Sequence, residues 1–395
     1  MQAIDKSAWE RVTFGDVVHN VNETVRDLES AGIDRIIAME HMDPGELKIR
    51  RWGAASDGTT FTRRVTPGQT LFGKRRAYQR KVAYAEFEGV CSSDIYTFEA
   101  VPARMLKEFL PFVVQSDGFF DHALGTSAGS LSPRTNWRDL ANFEFDLPPL
   151  DEQTRIADML WALERHRLEV LEQSRLGALT KSIALAERLG LGMKTNGWAR
   201  QPVTALVTAG PTNGRSAPAN DELRGVPTLS ISAVRDGQVQ GGDAVKYIDI
   251  DAASVSNFVL KIDDFLIVRG NGNRQLTGRG GLVSGGLPLG CIYPDLLIRL
   301  RFNPSVMLPQ FAAEQWNSAE AHGALLENAK STNGIWKING ADIKHHSLVV
   351  PPLADQVSIL NQLESFDAVI RTAAAEADAL SALRTSLLAT IFGGN

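Results

Sequence analysis

Leu147-Pro148-Pro149-Leu150-Asp151-Glu152-Gln153 and Val350-Pro351-Pro352-Leu353-Ala354-Asp355-Gln356 are two copies of one phrase, and the residues after each copy decide the fold. No proline occurs from Asp151 to Arg200 or from Leu353 to Asn395, and both stretches are rich in helix formers. Prolines at a first turn suit a helix start, because the missing N–H has no intrahelical partner there. After the second copy, Ile359, Leu363, Phe366, Ile370, Ala373, Ala377, Leu380, Leu387 and Ile391 alternate spacings of three and four, with Arg384 the one polar member. That is a heptad seam. After the first copy the stripe Ile156, Leu160, Leu163, Leu168, Leu171, Leu176, Leu179 and Ile183 is less regular, and Gly190 and Gly192 supply helix-stop chemistry. Long helices are expected over 151–190 and 353–395, with a linker over 191–197. About 38 residues at 1.5 Å each make a rod of roughly 57 Å, beyond an ordinary globular helix. Each stripe fits either a helix docked in its own domain or an antiparallel pair burying the two seams together. The length favours the pair.

Working backward from each phrase, the duplication continues. Ser130-Leu131-Ser132-Pro133-Arg134-Thr135-Asn136-Trp137 corresponds to Ser331-Thr332-Asn333-Gly334-Ile335-Trp336, Gly89–Asp94 to Gly290–Asp295, and Trp9 to Trp198. The halves read as divergent duplicates, not as a solenoid. Short apolar or alternating runs split by Gly and Asp, such as Ile36-Ile37-Ala38-Met39, Gln69-Thr70-Leu71-Phe72, Gly225–Ser232, Ala244–Ile248 and Asp264–Val268, predict strands and turns. Mixed α/β domains are expected over 1–150 and 198–352.

The 395 residues are 44% hydrophobic and 22% charged, a globular composition long enough for two cores. With 41 Lys and Arg against 46 Asp and Glu, the net charge of −5 excludes a uniformly basic surface and leaves local basic patches open. Cys91 and Cys291 form neither a disulfide framework nor a CxxC site and read as buried free thiols in a reducing compartment. No apolar leader segment or membrane-length run is present, so a cytoplasmic protein without a membrane partner is expected.

Catalytic chemistry has no candidate. Gly68–Arg75 matches a phosphate loop up to Gly73-Lys74 but ends in Arg75, which cannot supply the hydroxyl that ligates magnesium. Gly278, Gly280, Gly281, Gly285 and Gly286 lack the frame of a dinucleotide fingerprint. His345 and His346 are adjacent and read as a solvated strand edge, not a metal site. Neither GxSxG nor HExxH occurs. No catalytic, metal or cofactor residue is assigned.

Lys74, Arg75, Arg76, Arg80 and Lys81 place five cations within eight residues, interrupted by Tyr78, with Arg63 and Arg64 just upstream. The duplicate carries Arg269, Asn271, Asn273, Arg274 and Arg279 at the matching place after an apolar run. A solvated loop surface explains either cluster alone. Arg and Asn also read guanine and adenine edges, and clustered cations neutralise phosphates. Different polar loops at matching places of two duplicates favour two DNA readers.

Met39–Pro44 (MEHMDP), Leu71–Ala83 (LFGKRRAYQRKVA), Gly125–Trp137 (GTSAGSLSPRTNW), Asp264–Gly281 (DFLIVRGNGNRQLTGRGG) and both proline phrases with their helices resemble the specificity subunits of type I restriction-modification enzymes. The resemblance implies an α+β chain in which two mixed α/β target recognition domains are separated by two long helices forming an antiparallel coiled coil. It implies a noncatalytic subunit recognising a bipartite asymmetric site in double-stranded DNA and docking two methyltransferase subunits and restriction/translocase subunits. S-adenosylmethionine, ATP and Mg are then expected on those partners and no cofactor on this chain. Carried over by position, Arg63, Arg64, Lys74, Arg75, Arg76, Tyr78, Arg80 and Lys81, and Arg269, Asn271, Asn273, Arg274 and Arg279, are the expected DNA-binding residues. The Thr135-Asn136-Trp137 and Thr332-Asn333-Trp336 clusters are either part of that surface or structural, with each tryptophan read as packing where a domain meets its helix. A freestanding enzyme and a coiled-coil scaffold without a DNA role are the rival readings.

Overall fold

The computed structural model describes residues 5–129, 133–220, 222–332 and 334–393, with the backbone alone at residue 332. Ser130, Leu131 and Ser132 of the first Ser/Thr/Asn/Trp cluster and Asn333 of the second lie outside the described residues. The chain divides into two compact units, residues 1–171 with 374–395, and residues 172–373.

In the first unit a four-stranded antiparallel sheet runs Val18–Val21, Ile95–Ala100, Thr70–Gly73, Val82–Tyr84. Every residue of Thr70–Gly73 is buried, as expected of a central strand covered on both faces. Phe72 and Phe98 stack at 6.0 Å, and Phe119 from the helix Asp117–Gly125 meets the Phe72 ring edge-on at 5.4 Å. Ser116 starts that helix by accepting a hydrogen bond from the Phe119 N–H. A second sheet carries Gly53–Ala54, Arg35–Ile37, Gly89–Cys91 and Arg63–Val65 in that order.

The second unit repeats the plan. Its sheet runs Val207–Asn213, Leu297–Phe302, Asp264–Val268, Gly280–Leu282 and extends to Gln238–Val239 and Val234–Arg235. Phe265, Phe302, Phe311 and Trp316 fill its core, and Ser318 caps the helix Ala319–Glu327 as Ser116 caps its counterpart. Equivalent strand pairs close both units: Glu10–Thr13 with Glu144–Leu147, and Ala199–Pro202 with Ser347–Val350.

The glutamine that ends each proline phrase explains why the phrase recurs. Gln153 is fully buried; its amide donates to the carbonyls of Pro148 and Arg104, and its carbonyl accepts from the Leu106 N–H, all at 2.9 Å. Gln356, also fully buried, donates to Pro351 and Val306 and accepts from Leu308, all at 2.8 Å. Each side chain thus ties the first turn of a long helix to the loop that precedes a packed helix, Leu110–Gln115 in the first unit and Pro309–Trp316 in the second. Every polar atom of the amide that needs a partner in the dry interior has one.

Those long helices are Leu150–Thr195 and Leu353–Phe392. In the first unit the opening half of one runs antiparallel to the closing half of the other. Ile156 and Leu160 share a core with Leu387 and Ile391, and Arg384 donates to Glu164 at 3.0 Å. In the second unit Leu185 and Leu189 pack with Ile359 and Leu363, while Lys181 meets Asp367 at 2.7 Å and Glu314 at 2.8 Å.

Three expectations are corrected. The central helix continues through Gly190, Gly192 and most of the expected 191–197 linker, ending at Thr195. Gly192 is not a stop: a Cβ there would stand 2.0 Å from the Trp198 ring, so the missing side chain is what lets the tryptophan pack on the helix. Gly197, at φ +70°, takes the left-handed conformation that ends it. The seam of this helix also leaves the apolar stripe. Leu176, Leu179 and Ile183 are exposed, whereas Gly177, Lys181 and Leu185 face the partner helix, and Glu164 and Arg167 are buried farther back. Apolar periodicity cannot show a seam whose members are paired charges. Finally, His346 is buried against the Trp316 ring at 4.8 Å and is not a solvated strand edge, while His345 ends the helix Gly340–His345 and is exposed.

Candidate nucleic-acid interface

The first polar loop leaves the buried strand Thr70–Gly73 at Lys74. The Lys74 N–H donates to the Asp94 carbonyl, and its own carbonyl accepts from the Thr135 N–H, both at 3.0 Å. Arg76 is held to Pro133 at 2.8 Å, and Arg75 bridges to Arg134 through the backbone. The segment before the central helix therefore straps the basic loop. In the second unit the Arg269 N–H donates to Leu296 at 2.8 Å, and its carbonyl accepts from Ile338 at 2.9 Å. Asn271 pairs with Trp336. Lys74 and Arg269 thus hold equivalent places, each clamped between the far strand's entry loop and the strap.

Side chains of the first loop separate into two groups. Lys74 Nζ lies 4.6 Å and the Arg63 guanidinium 5.7 Å from the centre of the Tyr96 ring. Burial, reinforced by the Arg63 charge, pulls the Lys74 ammonium below the usual lysine range. Tyr96 is fixed by its hydroxyl, which donates to the Thr135 carbonyl and accepts from the Trp137 N–H. Arg75 and Arg134 both pair with Asp94, at 3.3 and 3.1 Å. Arg63, Lys74, Arg75 and Arg134 therefore gather around one carboxylate and one aromatic ring, leaving excess positive charge. Arg76 and Tyr78 are exposed on the same loop, and Arg76 forms no ion pair among the described residues.

The remaining cations named from the first loop are tied into the fold. Arg80 donates to Asp117 at 2.6 Å and to the Gln115 carbonyl, and lies over the Phe120 ring. Lys81 donates to the Met39 carbonyl at 2.7 Å. Arg64 pairs with Glu23 and Glu88 at 2.7 and 3.0 Å; these hydrogen bonds, Glu23 first, raise its pKa.

In the second loop Asn271 and Asn273 are spent on the turn itself, accepting from the Asn273 and Gln275 N–H groups. Arg274 lies 5.0 Å from the Trp336 ring centre and donates to the Leu326 carbonyl; Arg279 donates to Asn317 at 2.8 Å and to Gln275. Burial lowers the Arg279 pKa. Arg269 reaches the Asp295 carbonyl at 3.5 Å. Trp137 packs on Phe14 and Phe98 in the core shared with the central helix, whereas Trp336 sits under Arg274 in the polar loop rather than against a long helix. Arg134, Asp94 and Tyr96 were missed in the sequence because they come from other parts of the chain: Tyr96 from the strand Ile95–Ala100, Asp94 from the turn before it, and Arg134 from the strap. Only their neighbourhood within the Thr-Asn-Trp segment hinted at Arg134.

Among the described residues no three His, Cys, Asp or Glu side chains gather to hold a metal ion, and no helix is long and apolar enough to cross a membrane. Both cysteines are buried, and burial pushes each thiol up to about 12.

Residues 7–177 match the type I restriction modification DNA specificity domain. That segment is similar to a type I specificity domain. The EcoKI specificity subunit of Escherichia coli (strain K12) is 28% identical over 309 residues, covering 70% of this chain and 65% of that protein. The StySPI specificity subunit of Salmonella potsdam is 26% identical over 292 residues, 67% of this chain and 61% of that one. The chain therefore spans a little under two thirds of these relatives. A chain solved in work on the complex assembly and conformational transition of the type I R-M system aligns over 100% of this chain and 99% of its own, with TM-score 0.52 and 19% identity. The type I S subunit from M. genitalium aligns over the same shares with TM-score 0.55 and 11% identity. At those identities the likeness is one of fold, and it covers both units.

Proposed function

We propose that this chain is the DNA sequence-specificity subunit of a type I restriction-modification enzyme, noncatalytic by itself and acting in the cytoplasm. Residues 1–150 and 198–352 serve as its two target recognition domains. Each reads one half of a bipartite, asymmetric site in double-stranded DNA, and the long helices dock two methyltransferase subunits together with restriction/translocase subunits. S-adenosylmethionine, ATP and Mg belong to those partners in this reading. The observation that carries it is the duplicated frame with unlike loops. Lys74 and Arg269 occupy the same clamped position, yet the side chains beyond them differ. Two copies of one scaffold presenting different polar groups suit recognition of two different half-sequences, because phosphate contacts position a protein whereas base-edge contacts specify.

Of the thirteen expected DNA-binding residues, Arg63, Lys74, Arg75, Arg76 and Tyr78 are assigned to the DNA surface directly, with Arg134 added. Arg64, Arg80 and Lys81 are assigned to holding the first loop. Arg269, Asn271, Asn273, Arg274 and Arg279 shape the second loop and offer their remaining donors to the duplex. Methylation mapping of host DNA, combined with duplex binding across a salt series, tests the reading. The expected result is a split methylated motif that depends on this chain, and no methyl transfer by the purified chain alone. Methyl transfer by the single chain, or binding indifferent to salt, refutes it.

A further inference from the structure

Three short antiparallel strands, Lys330–Thr332, Ile335–Lys337 and Gly270–Asn271, form a small sheet at the second polar loop. Its register sets Lys330 directly opposite Lys337, and Lys337 opposite Gly270. Directly opposed residues of an antiparallel pair project from the same face, where like charges repel. Both lysines are exposed, and neither has an ion-pair partner among the described residues. The third strand offers that face no side chain: a Cβ at Gly270 would stand 3.2 Å from Lys337 Cγ, so the lysine stem lies across the glycine. Arg269, Arg274 and Arg279 all donate to backbone carbonyls. Among the described residues, the uncommitted charge at this loop is the lysine pair.

We propose that Lys330 and Lys337 form a phosphate clamp that seats a backbone phosphodiester of duplex DNA between their ammonium groups. The inference rests on the DNA-recognition reading above and names a site within it that the sequence did not show. An anion between two opposed cations turns their repulsion into charge-assisted hydrogen bonds. Such a contact positions the duplex without reading its sequence.

The test uses the full chain and a labelled mixed-sequence duplex, with Lys330→Gln/Lys337→Gln compared with Lys330→Arg/Lys337→Arg. Each phosphate that is no longer neutralised removes about 0.9 from the slope of log affinity against log salt, so the Gln pair, which gives up the one clamped phosphate, should lower it by about 0.9. The Arg pair should keep the slope. The melting temperature of the Gln pair should equal or exceed the parent's, because a repulsion has been removed. An unchanged slope in a chain whose parent binds DNA overturns the clamp and leaves the DNA reading standing. Loss of slope in the Arg pair, or a lowered melting temperature, marks the lysines as structural and also overturns it. A parent chain without salt-dependent duplex binding overturns both.

Discussion

Replacing Gln356 by Met keeps nearly the same volume and length but removes every polar atom from a fully buried site. Three hydrogen bonds of 2.8 Å disappear, to the Leu308 N–H and to the carbonyls of Val306 and Pro351. A net hydrogen bond contributes about 1 kcal/mol, and a buried group left without a partner costs about 1–3 kcal/mol, so a loss of about 4 kcal/mol is expected. For a unit of this size that corresponds to a fall of roughly 10 °C in the melting temperature. Gln153→Met should cost about as much, because its three bonds repeat the same geometry at 2.9 Å. Differential scanning calorimetry of the full chain measures both, with Gln362→Met, exposed on the same helix, as the control expected to shift stability by less than about 0.5 kcal/mol. A cost below about 1 kcal/mol at either glutamine, or unequal costs at the two, would refute the view that the recurring phrase exists to anchor each helix start.

Lys74→Met combined with Arg76→Gln should weaken duplex binding and lower the salt slope by about 0.9 for each phosphate the chain no longer neutralises; titrating labelled DNA at several salt concentrations reads it. Burial, with the charges of Arg200 and His322 adding to it, holds the His346 pKa at about 4 against an ordinary 6.5. The unfolded chain therefore takes up a proton that the folded one refuses, and stability should fall as pH drops from about 6.5 to about 4 by up to roughly 3 kcal/mol. Urea unfolding across that range should show this for the parent, and a flatter dependence for His346→Phe. Gly192→Ala drives a methyl into the Trp198 ring, and a cost of about 1–3 kcal/mol with altered tryptophan fluorescence is expected from equilibrium unfolding.

Repeats and periodicity were legible in the chain itself, because they are local. The proline phrase, the change to helix formers and the three-four spacing to Ile391 depend on neighbours in sequence, and the helices Leu150–Thr195 and Leu353–Phe392 begin where those signals stand. The matching basic and Asn-rich loops were visible for the same reason. What only the tertiary structure decided was which polar residues are spent and which remain available. Gln153 and Gln356 are ordinary polar letters until a loop about fifty residues away supplies their partners, as the Leu106 and Leu308 N–H groups do. Lys181 stands off the apolar stripe and yet lies in the seam, where Asp367 and Glu314 neutralise it. Arg80 and Lys81 belong to the same cationic run as Lys74 and Arg76, but Asp117 and the Met39 carbonyl claim them. Charge and spacing are properties of a string. The availability of a charge depends on what the fold brings within about 3 Å of it, since a hydrogen bond or ion pair is made only at that range.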